Sequence, residues 1–219
     1  MEQPKINQNL KNILNDIYET NNHYVKMTNT EIKKPAISQA QHPIATLVMC
    51  CDSRAHTTSF TYKPENNFFI VRNIGNQYIL NQGSVEYGVR ILKTDLLIFL
   101  GHSQCQAVKA SMEDYTNLPS SIVREVDHLA LSIKKSELHG DLNQKWCQAV
   151  VNNIHKQVEM ALKDFADLVM NGKLIIIGMI LDLDNSVGGG YGKITITNYN
   201  NVSDINKLKE IDLIKHFFD

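Results

Sequence analysis

Two short runs concentrate the residues able to do chemistry. The first, Cys50-Cys51-Asp52-Ser53-Arg54, sets two thiols beside a carboxylate and a guanidinium; the second, Gly101-His102-Ser103-Gln104-Cys105, sets an imidazole just ahead of a further thiol. Two sulfurs and one imidazole nitrogen are the donor set of a catalytic zinc whose fourth position is left for water, and the cation needs both sulfurs as thiolates. Two thiolates also cancel the charge of the cation and blunt its Lewis acidity. Making a hydroxide near neutral pH then calls for electrostatic help, which a carboxylate provides when it accepts a hydrogen bond from the bound water and a guanidinium fork holds it off the metal. Asp52 and Arg54 suit that role, although the same two residues taken alone read as a surface ion pair. Spacing alone leaves a structural zinc or a reactive thiol open. A phosphatase use of the cysteine is rejected. That chemistry wants a Cys and an Arg around a five-residue anion loop, whereas Cys50 and Arg54 enclose three residues, one of them the phosphate-repelling Asp52.

Strands and helices must bring these runs together. Continuous apolar stretches at 44–49, 68–71, 96–100 and 174–180 read as strands buried on both faces of a parallel sheet. The β-branched run 193–197, after the Gly188-Gly189-Gly190 turn, reads as an antiparallel edge strand. Ile6, Leu10, Ile13, Leu14 and Ile17 place an apolar stripe on a helix over residues 5–26, with Lys34-Pro35 ending or following it. Further helices are expected at 84–92, 107–112, 122–133 and 146–169, and Ile205, Leu208, Ile211 and Ile214 mark a closing one. This alternation predicts an α/β fold: a mostly parallel four-stranded sheet with an antiparallel edge strand, flanked by helices, with an N-terminal helical arm. A single domain over 1–219 is expected, divided into an arm (1–40), a core (41–200) and a C-terminal helix (201–219). Both reactive runs then sit at carboxyl ends of parallel strands, where open α/β sheets place their ligands.

Composition narrows the function classes. The chain has 219 residues, 43% hydrophobic and 21% charged with five prolines, which suits one compact domain or at most two small ones and excludes disordered, collagen-like and disulfide-scaffold proteins. With 22 Lys and Arg against 23 Asp and Glu, no broad field attracts nucleic acid or an anionic membrane. A small neutral or singly charged ligand fits better. No apolar run approaches the roughly 20 residues of a membrane span, and residues 1–17 do not read as a secretory leader, so a cytoplasmic protein is expected. Four cysteines, two of them adjacent, make a poor disulfide framework and point to metal binding or reactivity.

The sequence resembles the β-class carbonic anhydrases, whose metal motif is C-x-D-x-R followed some fifty residues later by H-x-x-C. Here the motif stands as Cys50, Asp52, Arg54, His102 and Cys105, with Cys51 in the variable position. The likeness runs from about Gln41 to Asp182 and includes Phe69-Ile70-Val71-Arg72-Asn73-Ile74-Gly75-Asn76, Ser84-Val85-Glu86-Tyr87-Gly88-Val89 and Asn153-Ile154 with Gln157-Val158. It implies one zinc per chain on Cys50, His102 and Cys105, hydroxide attack on carbon dioxide to give bicarbonate and a proton, an orienting role for Asp52 and a holding role for Arg54. It further implies a carbon dioxide pocket of the plant-like branch lined by Gln41, Phe69, Ile74 and Tyr87. A homodimer or dimer-based tetramer is implied, with the pocket at the subunit interface and the N-terminal helix laid across the neighbour. Two positions depart from the family. Gln106 stands where Gly commonly follows the last ligand; Leu47 and Leu181 stand where members inhibited by bicarbonate carry Trp and Tyr, with only Arg72 retained, so no such regulatory pocket is expected. Relatives that hydrolyse carbonyl sulfide or carbon disulfide share the site and give an alternative activity; a catalytically silent zinc protein is another.

Overall fold

Strand β1, Ala45–Cys50, is buried along its whole length, as its unbroken apolar run requires. Around it the sheet has the order β2-β1-β3-β4-β5, with β2 Phe68–Asn73, β3 Leu96–His102, β4 Ile175–Leu181 and β5 Ile194–Tyr199. The first four strands are parallel and β5 runs antiparallel to β4. This is the predicted α/β class. The structure is a computed structural model describing residues 8–28, 40–61, 64–133 and 137–218. It divides into two compact units, Met1–Gln41 and His42–Asp219.

In the first unit, helix α1 spans Gln8–Thr28, and Ile13, Leu14 and Ile17 of its stripe are each more than half exposed. The expected start of this helix, Ile6 and Lys34-Pro35 lie outside the described residues.

In the second unit the helices are α2 Gln82–Glu86, α3 Gln106–Met112, α4 Ser120–Ile133, α5 Leu142–Asp164, α6 Ala166–Met170 and α7 Ile205–Lys209. The β2–β3 crossover begins earlier than 84 and widens from α2 into a π-helical turn over Tyr87–Ile91, where the Leu92 amide reaches back to the Tyr87 carbonyl. Gly88 lets this crossover approach the sheet, since a Cβ there would collide with Thr46 and lie 2.9 Å from the Phe69 ring. Helix α5 opens on a capping box between Asp141 and Gln144 and buries Trp146, Val150, Ile154 and Val158 against the sheet. The long helix expected over 146–169 is interrupted at Phe165 (φ −113°, ψ 19°), whose buried ring lies edge-on to Tyr78 and beneath the Arg90 guanidinium. The closing helix likewise resolves into α7 and a 3-10 turn, Lys215–Phe217.

Alternate residues of β1 feed two cores. Val48 and Cys50 join Val85, Phe99 and the α5 side chains, while Leu47 and Met49 join Ile98, Leu100 and Leu181 on the opposite face. The chain steps from β1 to β2 on one side and then crosses to β3 on the other. The crevice beyond the carboxyl ends of β1 and β3 is therefore the switch point of the sheet.

Candidate metal centre

Cys50 is the last residue of β1, His102 the last of β3, and Cys105 caps the start of α3. Gln104 takes a left-handed conformation (φ 56°) that turns the chain between His102 and Cys105. These elements bring one ligand atom from each of the three side chains within 4.8 Å of the others, all buried, with the two sulfurs 3.9 Å apart. The His102 ring is fixed by the Ser103 carbonyl at 2.8 Å, which only a protonated Nδ1 can satisfy. Nε2 is left as the lone-pair nitrogen, and among the described residues it is buried with no hydrogen-bond partner. A buried imidazole lone pair beside two thiol sulfurs fits a zinc-class cation by donor chemistry and by the otherwise unmet desolvation of Nε2.

One thiol of the pair is poised for deprotonation. The protein's own donors pull Cys50 down to about 4, chiefly the Cys105 thiol and further the Gly75 amide 3.4 Å from its sulfur, against the opposing effect of burial. Cys105 is pushed well above its ordinary value by that same partnership with Cys50 and by burial. One thiolate and one retained proton therefore describe the metal-free pair, and a divalent cation would displace that proton. Gly75 adopts φ 75°, and a Cβ there would press 2.8 Å from Leu129. Both constraints reserve the position for glycine.

Asp52 lies beside this cluster, its carboxylate 3.8 Å from His102 Nε2. Arg54 grips it in a fork, Nε to Oδ1 at 3.0 Å and Nη2 to Oδ2 at 2.8 Å, while its backbone amide reaches Oδ1 at 2.9 Å. The Arg54 side chain thereby holds the carboxyl well below the usual carboxylate range, against the effect of burial. Asp52 is an acceptor only.

Several supporting residues gave no such indication in the sequence. Arg72 donates to three carbonyls of the β1 loop: Cys50 at 2.8 and 3.0 Å, Asp52 at 2.9 Å and Ala55 at 2.8 Å. Trp146 Nε1 donates to the Cys105 carbonyl at 2.9 Å. The Ser103 hydroxyl accepts from the Leu183 amide, and the Gln104 side chain donates to Asp184. Gly75 and Arg72 stand within the run that carries the family resemblance, but no spacing tells which sulfur or carbonyl they meet.

The expected pocket residues are distributed differently. Phe69 and Tyr87 touch, ring centroids 5.9 Å apart. Phe69 pairs with Thr46, whereas Cys50 pairs with Asn73. Four residues of strand therefore separate this aromatic pair from the metal cluster, about 13 Å at roughly 3.3 Å per residue. Ile74 is half-buried at the cluster end of β2, in a cleft it shares with Cys51 and Arg72. Gln41 is exposed at the end of the first unit, and Gln106 is exposed at the start of α3.

Comparison with known proteins gives these observations a family. The family model described as carbonic anhydrase matches residues 45–188, about two thirds of the chain. A carbonic anhydrase of Mycolicibacterium smegmatis is 34% identical over 99 residues, covering 43% of this chain and 47% of that protein, so the match spans about half of that relative's length. Carbonic anhydrase 2 of Mycobacterium tuberculosis is 26% identical over 161 residues, 69% of this chain and 76% of that one. The solved β-carbonic anhydrase of Coccomyxa, in complex with acetazolamide, superposes with a TM-score of 0.72 at 21% identity over 94% of this chain and 96% of its own. A tetrameric β-carbonic anhydrase of Sordaria macrospora does so with 0.70 at 19% identity, over 84% and 96%. The fold of those structures, a family match covering both reactive runs and a buried Cys2His cluster at the switch point agree, and the chain belongs to the β-class carbonic anhydrase family.

Proposed function

We propose that this protein catalyses the reversible hydration of carbon dioxide to bicarbonate and a proton, with one zinc held by Cys50, His102 and Cys105. The observation that carries this reading is the convergence of those three side chains beside a carboxylate already clamped by Arg54. When bound, zinc supplies the acidity that makes water a nucleophile near neutral pH. The chain's own residues do the rest. Asp52, kept ionised by Arg54, accepts a hydrogen bond from the attacking water and so fixes the direction of its lone pair. The Ser103 carbonyl holds the His102 tautomer, and Arg72 and Trp146 fix the backbone on either side of the sulfurs. Phe69 and Tyr87, with Ile74, form the apolar wall for an uncharged linear substrate. Because Phe69 and Tyr87 lie far down the sheet from their own chain's cluster, they serve the site of a second subunit, and the working unit is a dimer or a dimer-based tetramer. Leu47 and Leu181 are packed into the core and Arg72 is committed to carbonyls, which supports a protein without the bicarbonate-regulated pocket.

Metal analysis and stopped-flow hydration on the wild type, Cys50→Ala and Asp52→Asn test this reading. About one zinc per chain is expected in the wild type. Cys50→Ala loses both metal and rate; Asp52→Asn keeps zinc and slows by about a hundredfold, the scale of losing one positioned electrostatic group. A zinc-loaded wild type that leaves the uncatalysed rate unchanged would overturn it.

A further inference from the structure

Away from the metal cluster, a cleft of about 560 Å³ lies among α3, the end of α4, Leu138 and the start of α5. Such a volume falls within the range that holds small organic ligands, about 300–1,000 Å³. Its apolar side is made by Met112, Ile133, Leu138, Leu142 and Trp146. Two lysines enter from different helices: Lys109 from α3 and Lys145 from α5. Lys109 sits 5.3 Å over the Trp146 ring and faces Glu113 at 3.9 Å. Lys145 is half-buried and makes no ion pair among the described residues. With Glu113 set against Lys109, the described lining of the cleft carries one uncompensated positive charge beside an apolar wall. Trp146 holds that wall in place. Its ring is buried, and its indole N–H is tied to the Cys105 carbonyl at 2.9 Å, so it does not swing into the cleft. A wall fixed before binding needs little reorganisation when a ligand arrives.

We propose that this cleft binds an amphipathic monoanion, an apolar acyl-type body carrying one carboxylate, with the body against Trp146 and Leu142 and the carboxylate at Lys145. The charge balance selects the sign: a cation gains nothing from Lys145, and a neutral molecule of the same shape leaves that ammonium without a partner.

Trp146 is the only tryptophan in the chain, so its fluorescence reports on this wall directly. The zinc-loaded full-length protein is titrated with octanoate, 1-octanol and octylammonium, whatever its hydration rate. Octanoate is expected to give a saturable change, with 1-octanol about tenfold weaker, the scale of one ion pair, and octylammonium weaker still. Lys145→Gln is expected to weaken octanoate about tenfold without altering 1-octanol, and Lys145→Arg to restore it. Leu142→Glu, at the first turn of α5 where a carboxylate favours the helix, keeps the fold and repels octanoate. No saturable change, equal affinity for all three probes, or wild-type octanoate affinity in both Lys145→Gln and Leu142→Glu would each overturn the proposal. None of these readings depends on carbon dioxide turnover.

Discussion

Arg54 meets Asp52 with three N–H groups, its own amide among them, and the charge state of the carboxylate follows from that grip. Because its folded value is depressed, Asp52 stays ionised above the ordinary carboxylate range of about 4, and its contribution is lost only as pH falls through the lower folded value. Arg54→Gln is expected to keep zinc and slow hydration by at least tenfold, because the carboxylate loses the fork that orients it toward the attacking water. Stopped-flow hydration with metal analysis checks this; an unchanged rate in the zinc-loaded variant would place the pair outside the reaction. Arg72 acts on the backbone instead. Its planar fork serves three carbonyls at once, which a single ammonium does not reproduce, so Arg72→Lys should lower stability by about 1–3 kcal/mol in urea unfolding.

Among the elements, α5 binds the molecule together. Asn153 donates to the Gly75 carbonyl and Gln157 accepts from the Tyr78 amide, so the loop after β2 hangs on two buried amides of one helix. Further along the same helix, His155 Nε2 donates to the Thr197 carbonyl of β5. Burial lowers the His155 pKa, partly offset by that carbonyl. The neutral ring is therefore the folded form. Its stabilisation is complete above the unfolded value of 6.5 and is lost as pH falls from there through the lower folded value. His155→Gln should flatten this part of the stability curve, and urea midpoints measured from pH 7.5 down to 5.5 compare the two proteins. Parallel slopes would show that His155 does not carry the effect. The reason α5 could not be delimited from sequence also lies here: the apolar period continues through Phe165, but that ring is drawn between Tyr78 and Arg90 and the helix breaks there.

For the whole molecule, the separation between Cys50 and the Phe69–Tyr87 pair bears on assembly. If the partner's pair completes each site, hybrids of Cys50→Ala and Tyr87→Ala chains recover activity that neither parent has. In a random mixture half of the dimers are hybrids with one complete site of two, so recovery to about a quarter of wild-type activity is expected. Sedimentation should show a dimer or a multiple of it. Parents that mix without recovery would confine the pocket to one chain.

The sequence by itself determined the parts governed by local pattern. Continuous apolar runs located the strands, because the central parallel strands have no polar face, although β2, expected to be buried on both faces, lies at the sheet edge and leaves Ile70 exposed; the order of strands and helices supplied the α/β class. The types and spacing of Cys50, Asp52, Arg54, His102 and Cys105 gave the donor set, since zinc chemistry demands those atoms and a strand end supplies them. Three-dimensional packing alone decided the rest. Whether the Gly75 amide points at the Cys50 sulfur, whether Arg72 spends its donors on carbonyls, and whether Trp146 braces Cys105 depend on segments 22 to 41 residues apart meeting at hydrogen-bond distance. The same holds for the register that sets Phe69 beside Thr46 and away from the cluster. Such contacts are fixed by how the helices seat on the sheet, and no periodicity along the chain encodes them.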